Sequence, residues 1–274
     1  MTTGSLHSQH VYRATLDRLI TRDTRWLDIG CGHTVLPDWM RDSVPVQKQW
    51  LSRCEYAVGC DPADDRPHVA GLKKVPQQGN QLPFEDGMFN LVTANMVAEH
   101  VKDPASFTRE IRRVLCPGGL FVVHTPNLHY FEVFLAHLLP NRLVRSIAHY
   151  VDKREHEDIF PTAYRMNTRD AFYSLDGYKV LDLDCVETAP QFGKIPLLNL
   201  AESMLIRMTH FEKLHDLRAD WIAVLQKHET ATLGRVPLST LPSSQWQNGS
   251  RERASAARQG TSVDTQRTTY IPRG

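Results

Sequence analysis

The stretch Arg25-Trp26-Leu27-Asp28-Ile29-Gly30-Cys31-Gly32 decides how this chain folds. Its first five residues read as a short buried strand, and Gly30-Cys31-Gly32 ends that strand in a turn, with a helix expected from about Leu36. Pro45 interrupts the next region, which predicts two short helices or a helix and a loop. Upstream, Val11, Leu16, Leu19 and Ile20 recur at helical spacing over His10 to Ile20. Downstream, Glu55 to Cys60 is a second strand ending on Asp61-Pro62, Val75-Pro76 a short third, and Phe89 to Ala94 the continuous apolar run of a central parallel strand. Asp103 before Pro104 caps a helix over Ala105 to Leu115, and Cys116-Pro117-Gly118-Gly119 stops it and launches the strand Leu120 to His124. Such alternation predicts an α/β protein with a doubly wound, Rossmann-like, mostly parallel sheet.

The rhythm changes after Thr125. Residues 125–170 are rich in histidine and aromatic residues, belong to no βα repeat, and are expected to form an inserted, partly helical lid. A helix opens at Thr168 or Asp170, and the strands Tyr178 to Val186 and Ala219 to Leu225 flank a helical segment from Asn199 to Leu217. These late strands add an antiparallel edge, seven strands in all. Residues 1–228 are thus expected to form one domain, and 229–274, dominated by Ser, Thr, Arg, Gln and Gly, have the composition of a disordered tail.

Composition narrows the function. The chain has 274 residues, 41% hydrophobic and 23% charged, and its 32 Lys+Arg against 31 Asp+Glu give a net charge of +1, without the global basic field of a nucleic-acid binder. The 5 cysteines contain no C-x-x-C pair, which argues against a disulfide scaffold or a structural zinc site. No apolar stretch is long enough to span a bilayer, and the N-terminus lacks a basic head followed by an apolar run, so a cytoplasmic protein is expected.

Glycine is required where a strand turns sharply and a ligand approaches the backbone. Gly30 and Gly32 meet that need, but the dinucleotide pattern G-x-G-x-x-G requires a third glycine where Val35 stands. A nicotinamide or flavin is disfavoured accordingly, as it is by the lack of a Tyr-x-x-x-Lys pair in a helix. Asp28 would repel phosphates yet suits a ligand with an ammonium group, and Asp61 ends its strand where a carboxylate can accept from both ribose hydroxyls.

The segments W-L-D-I-G-C-G, V-G-C-D-P, L-P-F-E-D-G-M-F-N-L-V and L-C-P-G-G-L-F-V-V, in order over residues 25–125, resemble the successive motifs of class I S-adenosylmethionine-dependent methyltransferases, most closely the small bacterial type 11 methyltransferase-domain family. The resemblance implies S-adenosylmethionine as cofactor. It implies that Asp28, Gly30, Cys31 and Gly32 hold its methionine end, Asp61 its ribose, and the stretch around Gln78 and Gly79 its adenine, with Asn95 near the sulfonium. Two positions depart from the pattern: no acid stands near Gln78, and Thr34 occupies the place of a third family glycine.

For the chemistry, Asn95-Met96-Val97-Ala98-Glu99-His100 lies just beyond the fourth strand and resembles an E-x-x-E-H motif of metal-dependent O-methyltransferases, with Met96 in place of the first acid. Glu99, His100 and His156 are therefore candidates to converge on the acceptor, with one histidine acting as base or with a magnesium-type ion held loosely; the alternative is that Glu99 and His100 make only helix-terminus and inter-loop hydrogen bonds. No metal site is assigned. The expected activity is methyl transfer, chiefly to oxygen, of a small-molecule, saccharide or lipid-linked acceptor. The rivals are a noncatalytic S-adenosylmethionine-binding module, a nicotinamide-dependent oxidoreductase and a metal-assisted RNA terminal methyltransferase.

Overall fold

A computed structural model describes residues 7–62, 66–77, 81–131, 133, 161–188 and 196–228. The elements in chain order are α1 (Ser8–Leu19), β1 (Arg25–Ile29), α2 (Ser43–Arg53), β2 (Tyr56–Asp61), β3 (Lys73–Pro76), β4 (Phe89–Asn95), α3 (Pro104–Val114), β5 (Leu115–Pro126), α4 (Arg169–Tyr173), β6 (Tyr178–Val186), α5 (Pro196–Met208) and β7 (Asp220–Lys227). Single 3-10 segments occupy Ala98–His100 and Glu212–Leu217. The expected lid falls mostly, and the expected tail entirely, outside the described residues.

The strands form one seven-stranded sheet in the order β3-β2-β1-β4-β5-β7-β6. The strands β1 to β5 pair in parallel, whereas β7 runs antiparallel to both β5 and β6. The antiparallel strand therefore enters one place in from the edge. Strands β1 and β4 are buried almost throughout, which is why both read as near-continuous apolar runs. On one face, Tyr12 and Leu16 of α1 and Val46 and Trp50 of α2 pack on Trp26, Leu91, Val122 and Ile222. On the other, Ile111 and Val114 of α3 and Phe172 of α4 pack on Leu27, Val92, Phe121 and Trp221.

Three local expectations are corrected. No helix begins near Leu36: α2 starts at Ser43, and Pro45 sits in its first turn, where the N–H it lacks would have had no partner within the helix. The strand expected at Leu120 begins at Leu115, because the Gly118-Gly119 step is absorbed as a register shift against β4, Phe89 facing Leu115 and Leu91 facing Leu120. The helix expected over Asn199 to Leu217 breaks after Met208 and resumes as 3-10 turns, since Thr209 turns its hydroxyl back onto the Ile206 carbonyl and the buried Glu187 carboxylate. Asp103 caps α3 as expected, its Oδ1 accepting from the Ser106 N–H at 3.1 Å.

Candidate functional site

The carboxyl ends of β1, β2, β4 and β5 converge on one edge, and because β7 runs the other way its first residue, Asp220, joins them opposite Pro126. Ligands of open α/β sheets bind at that edge. Gly30 and Gly32 both adopt left-handed backbone, with φ of +67° and +46°. A Cβ on Gly30 would collide with Val97 Cγ2, so the residue is glycine for space as well as for conformation. The turn is pinned to β2: the Gly30 N–H donates to the Cys60 carbonyl at 2.7 Å, and the Gly32 N–H to Asp61 Oδ2 at 3.0 Å. Asp61 is half-buried at the strand end.

The chain just past the turn distinguishes it from a dinucleotide site. Residues 33–42 form turns, and the Gln47 side chain reaches back from α2 to accept the Val35 N–H at 2.7 Å. No helix N-terminus therefore faces the crevice just after the glycines, and the feature that neutralises a pyrophosphate is missing there. A glycine turn without that feature, a carboxylate at the end of β2 and a second carboxylate, Asp28, beneath the turn fit a nucleoside carrying an ammonium group. This donor set fits S-adenosylmethionine.

Asp28 is 2% exposed. Burial pushes its carboxyl up to about 7, opposed by the hydrogen bond from Thr93 and reinforced by the charge of Asp61. The Tyr12 hydroxyl, fully buried nearby, is raised by burial and then by the charge of Asp28. Cys31 is buried as well, and burial raises its thiol far above the ordinary range, so it has no thiolate character.

The second half of the site lies beyond β4. Glu99 is 4% exposed, and its Oε2 accepts from the Thr125 hydroxyl at 3.0 Å. Burial raises this carboxyl to about 7 against the opposing effect of Thr125. Its backbone carbonyl receives the N–H groups of Ala163 and Tyr164 at 2.6 and 3.0 Å. His100 Nδ1 lies 3.1 Å from the Pro161 carbonyl and therefore donates, leaving Nε2 facing Glu99 Oε1 at 3.8 Å. Glu99 and His100 are thus brought together, and both also anchor residues 161–164. His156, Gln78 and Gly79 lie outside the described residues. Among the described residues no three His, Cys, Asp or Glu side chains group as metal ligands, and no helix is long and apolar enough to cross a membrane.

Asn95 is saturated by protein groups. Its Nδ2 donates to the Val35 carbonyl at 2.8 Å and to Gln9 Oε1 at 3.2 Å, while its Oδ1 lies 2.8 Å from His124 Nδ1 and 3.3 Å from Gln9 Nε2. Next to it, Met96 holds a left-handed φ of 56°, an unusual conformation for a side chain of this size, at the mouth of the crevice. Sequence reasoning missed Thr93, His124 and Asp220. For His124 the available signal was a polar residue near the carboxyl end of a parallel strand, whereas Asp220, at the amino end of the antiparallel β7, carried no such signal.

A family model described as a methyltransferase domain matches residues 6–164. A protein named a probable S-adenosylmethionine-dependent methyltransferase from Mycolicibacterium smegmatis is 33% identical over 120 residues, 43% of each chain. A ubiquinone biosynthesis O-methyltransferase from a Caulobacter species is 35% identical over 105 residues, covering 38% of this chain and 41% of that one. The match thus spans less than half the length of these curated relatives. Among solved structures, an S-adenosylmethionine-dependent methyltransferase from Mesorhizobium loti is similar over 80% of this chain and 98% of that one, at 14% identity and a TM-score of 0.48.

Proposed function

We propose, from the premise that the chain belongs to the methyltransferase-domain family of class I S-adenosylmethionine-dependent enzymes, that it methylates an oxygen of a small-molecule, saccharide or lipid-linked acceptor. The observation that carries this reading is the clasp of Gly32 by Asp61 across the β1 and β2 ends, beside a left-handed Gly30 that leaves no room for a side chain. In this reading the Asp61 carboxylate takes the ribose hydroxyls, the Gly30 and Gly32 backbone lies along the methionine end, and Asp28 balances the ammonium group from below. S-adenosylmethionine, when bound, supplies an activated methyl on a sulfonium, with S-adenosylhomocysteine as the leaving product.

The chain's own contribution is to hold the acceptor in line and to manage one proton. Glu99 supports this reading, because a carboxyl raised to about 7 can accept a hydroxyl proton near neutrality. The oxygen assignment also draws on the relative named as a ubiquinone biosynthesis O-methyltransferase.

Calorimetric titration with S-adenosylmethionine, and separately with NADH, tests the proposal. Binding of the former, weakened in Asp61→Ala by about 1 to 3 kcal/mol for lost charged hydrogen bonds, is expected. Binding of NADH instead would overturn the cofactor reading. Once binding is established, release of S-adenosylhomocysteine across panels of hydroxyl, amine and carbon acceptors decides the acceptor atom.

A further inference from the structure

The α1 face of the sheet carries a polar column at its crevice end that the proposed reaction does not use. In the parallel ladder Asn95 lies opposite His124, and in the antiparallel ladder His124 lies opposite Ile222, which places Asp220 diagonally beside His124 on the same face. His124 is 0% exposed, Asp220 9%. The hydrogen atoms in this column are dictated by chemistry. The Val35 carbonyl can only accept, so the Asn95 atom 2.8 Å from it is the NH2 nitrogen, and the other atom of that amide is its carbonyl oxygen. That oxygen can only accept, so His124 Nδ1, 2.8 Å away, carries a proton.

A neutral His124 would then hold a lone pair on Nε2. That nitrogen faces Asp220 Oδ2 at 3.5 Å and makes no hydrogen bond among the described residues. A lone pair 3.5 Å from a carboxylate oxygen beside a fully buried ring is repulsive, and a proton on Nε2 turns the same contact into an ion pair. We infer that His124 is a positioning residue carried as a doubly protonated imidazolium between Asn95 and Asp220, and that this charge holds the first turn of α1 against the cofactor crevice.

The path from the charge to the crevice is continuous. His124 orients the Asn95 amide, Asn95 makes the reciprocal amide pair with the buried Gln9 of the first turn of α1, and its NH2 also holds the Val35 carbonyl just past the glycine turn. The Tyr12 ring stacks on the imidazole with centroids 5.3 Å apart. His7, the N-cap of α1, accepts the Gln9 N–H at Nδ1, so its own proton sits on Nε2, donated to the Thr188 hydroxyl at 3.1 Å. The rings of His7 and His10 lie 4.7 and 5.8 Å from that of Trp39, in the loop after the glycine turn. The groups that face the pair are therefore His7 and Tyr12 from α1, Glu99 from the 3-10 turn after β4, and Glu187 beyond β6, itself paired with Arg218. Burial lowers the pKa of His7 and raises those of Glu99 and Glu187.

The consequence for the crevice rests on the proposed function, whereas the charge state does not, and one experiment on the full chain separates them. Nitrogen-15 spectra of the histidine rings, assigned with His124→Gln, report both His124 nitrogens as protonated at pH 6 to 7 if the inference holds. On raising the pH, loss of the Nε2 proton is accompanied by faster amide exchange in residues 9–12, corrected for intrinsic base catalysis, and by a several-fold loss of S-adenosylhomocysteine affinity. In Asp220→Asn, Nε2 is unprotonated and α1 exchanges at the fast level throughout. An Nε2 without a proton in the wild type, or a proton found on the Asp220 carboxyl, overturns the assignment without need of any variant. An affinity that stays constant while the proton leaves overturns the positioning role. If S-adenosylhomocysteine binds at no pH, the proposed function falls, and the ring nitrogens still decide the state of His124.

Discussion

The Thr93 hydroxyl on β4 donates its proton to Asp28 Oδ1 on β1 at 2.5 Å while accepting the Trp26 indole N–H at 2.8 Å. With Asp28 ionised the direction is set, because a carboxylate only accepts, and the hydroxyl takes the indole N–H on a lone pair. This chain secures the buried carboxyl directly beneath the glycine turn. Thr93→Val keeps the shape and removes both bonds, leaving an indole N–H and a carboxyl buried without this partner. Equilibrium urea denaturation is expected to show a loss of about 1 to 3 kcal/mol, with the Asp28 carboxyl moving further up. An unchanged midpoint would mean that the hydroxyl is replaced by water.

Asp28 and Glu99 make the free protein more stable in mild acid. Each is raised to about 7 by burial from ordinary values of 3.8 and 4.5. The unfolded chain ionises these groups first, so it binds fewer protons than the native state between about pH 4 and 7 and stability falls as the pH rises through that window. The stability present below the unfolded values is lost once the native pKa values are passed. Thermal melts from pH 4.5 to 8 are expected to decline over that range, against the background of the other titrating groups, and Asp28→Asn is expected to flatten the decline. An identical pH profile in Asp28→Asn would contradict the raised carboxyl.

Asn127 closes the crevice edge from below. It is fully buried, and its Nδ2 donates to the carbonyls of Asp216 and Arg218 at 2.8 and 2.7 Å while its Oδ1 accepts the His129 N–H at 3.0 Å. Asn127→Ala strands several backbone groups at once, and a buried group without a partner costs about 1 to 3 kcal/mol. A loss at or above the upper end of that range is expected by chemical denaturation, together with faster amide exchange at His129.

The legible parts of the molecule are those where a local pattern maps onto one physical demand. β1 and β4 announce themselves as apolar runs because both their faces are covered, and Gly30 because no other residue fits its backbone and its closeness to Val97. The loop and single helix allowed around Pro45 are what form, but Pro45 sits inside the helix's first turn and does not interrupt it, because a proline has opposite meanings inside a helix and in its first turn and only the position of the cap distinguishes them. The place of β7 was not readable: strand order is set by which edge offers unpaired backbone, which no window of sequence records. The same reason hides the column at the crevice end. His124 and Asp220 are 96 positions apart (220 less 124) and meet only through the antiparallel register of β5 and β7. Glu99 was found by its motif, but its partner Thr125 and the backbone it anchors at Ala163 and Tyr164 are tertiary facts.

Gly30 and Gly71 provide a controlled comparison. Both have left-handed backbone, at φ of +67° and +86°, but a Cβ on Gly71 meets nothing within 4 Å, whereas one on Gly30 collides with Val97 Cγ2. Gly71→Ala therefore carries the conformational penalty alone, about 1 to 2 kcal/mol. Gly30→Ala carries that penalty plus the displacement of Val97, which sits between Asn95 and Glu99 on the crevice. Gly30→Ala is expected to destabilise the fold more than Gly71→Ala and to weaken S-adenosylmethionine binding, while Gly71→Ala leaves binding unaltered. Adding Val97→Ala to Gly30→Ala removes the clash but not the left-handed strain, so stability should recover only to about the Gly71→Ala level, less what the shortened Val97 itself costs. Equal effects of the two single substitutions in denaturation and calorimetry would show that Val97 yields freely, and that the glycine is required at position 30 for its backbone alone.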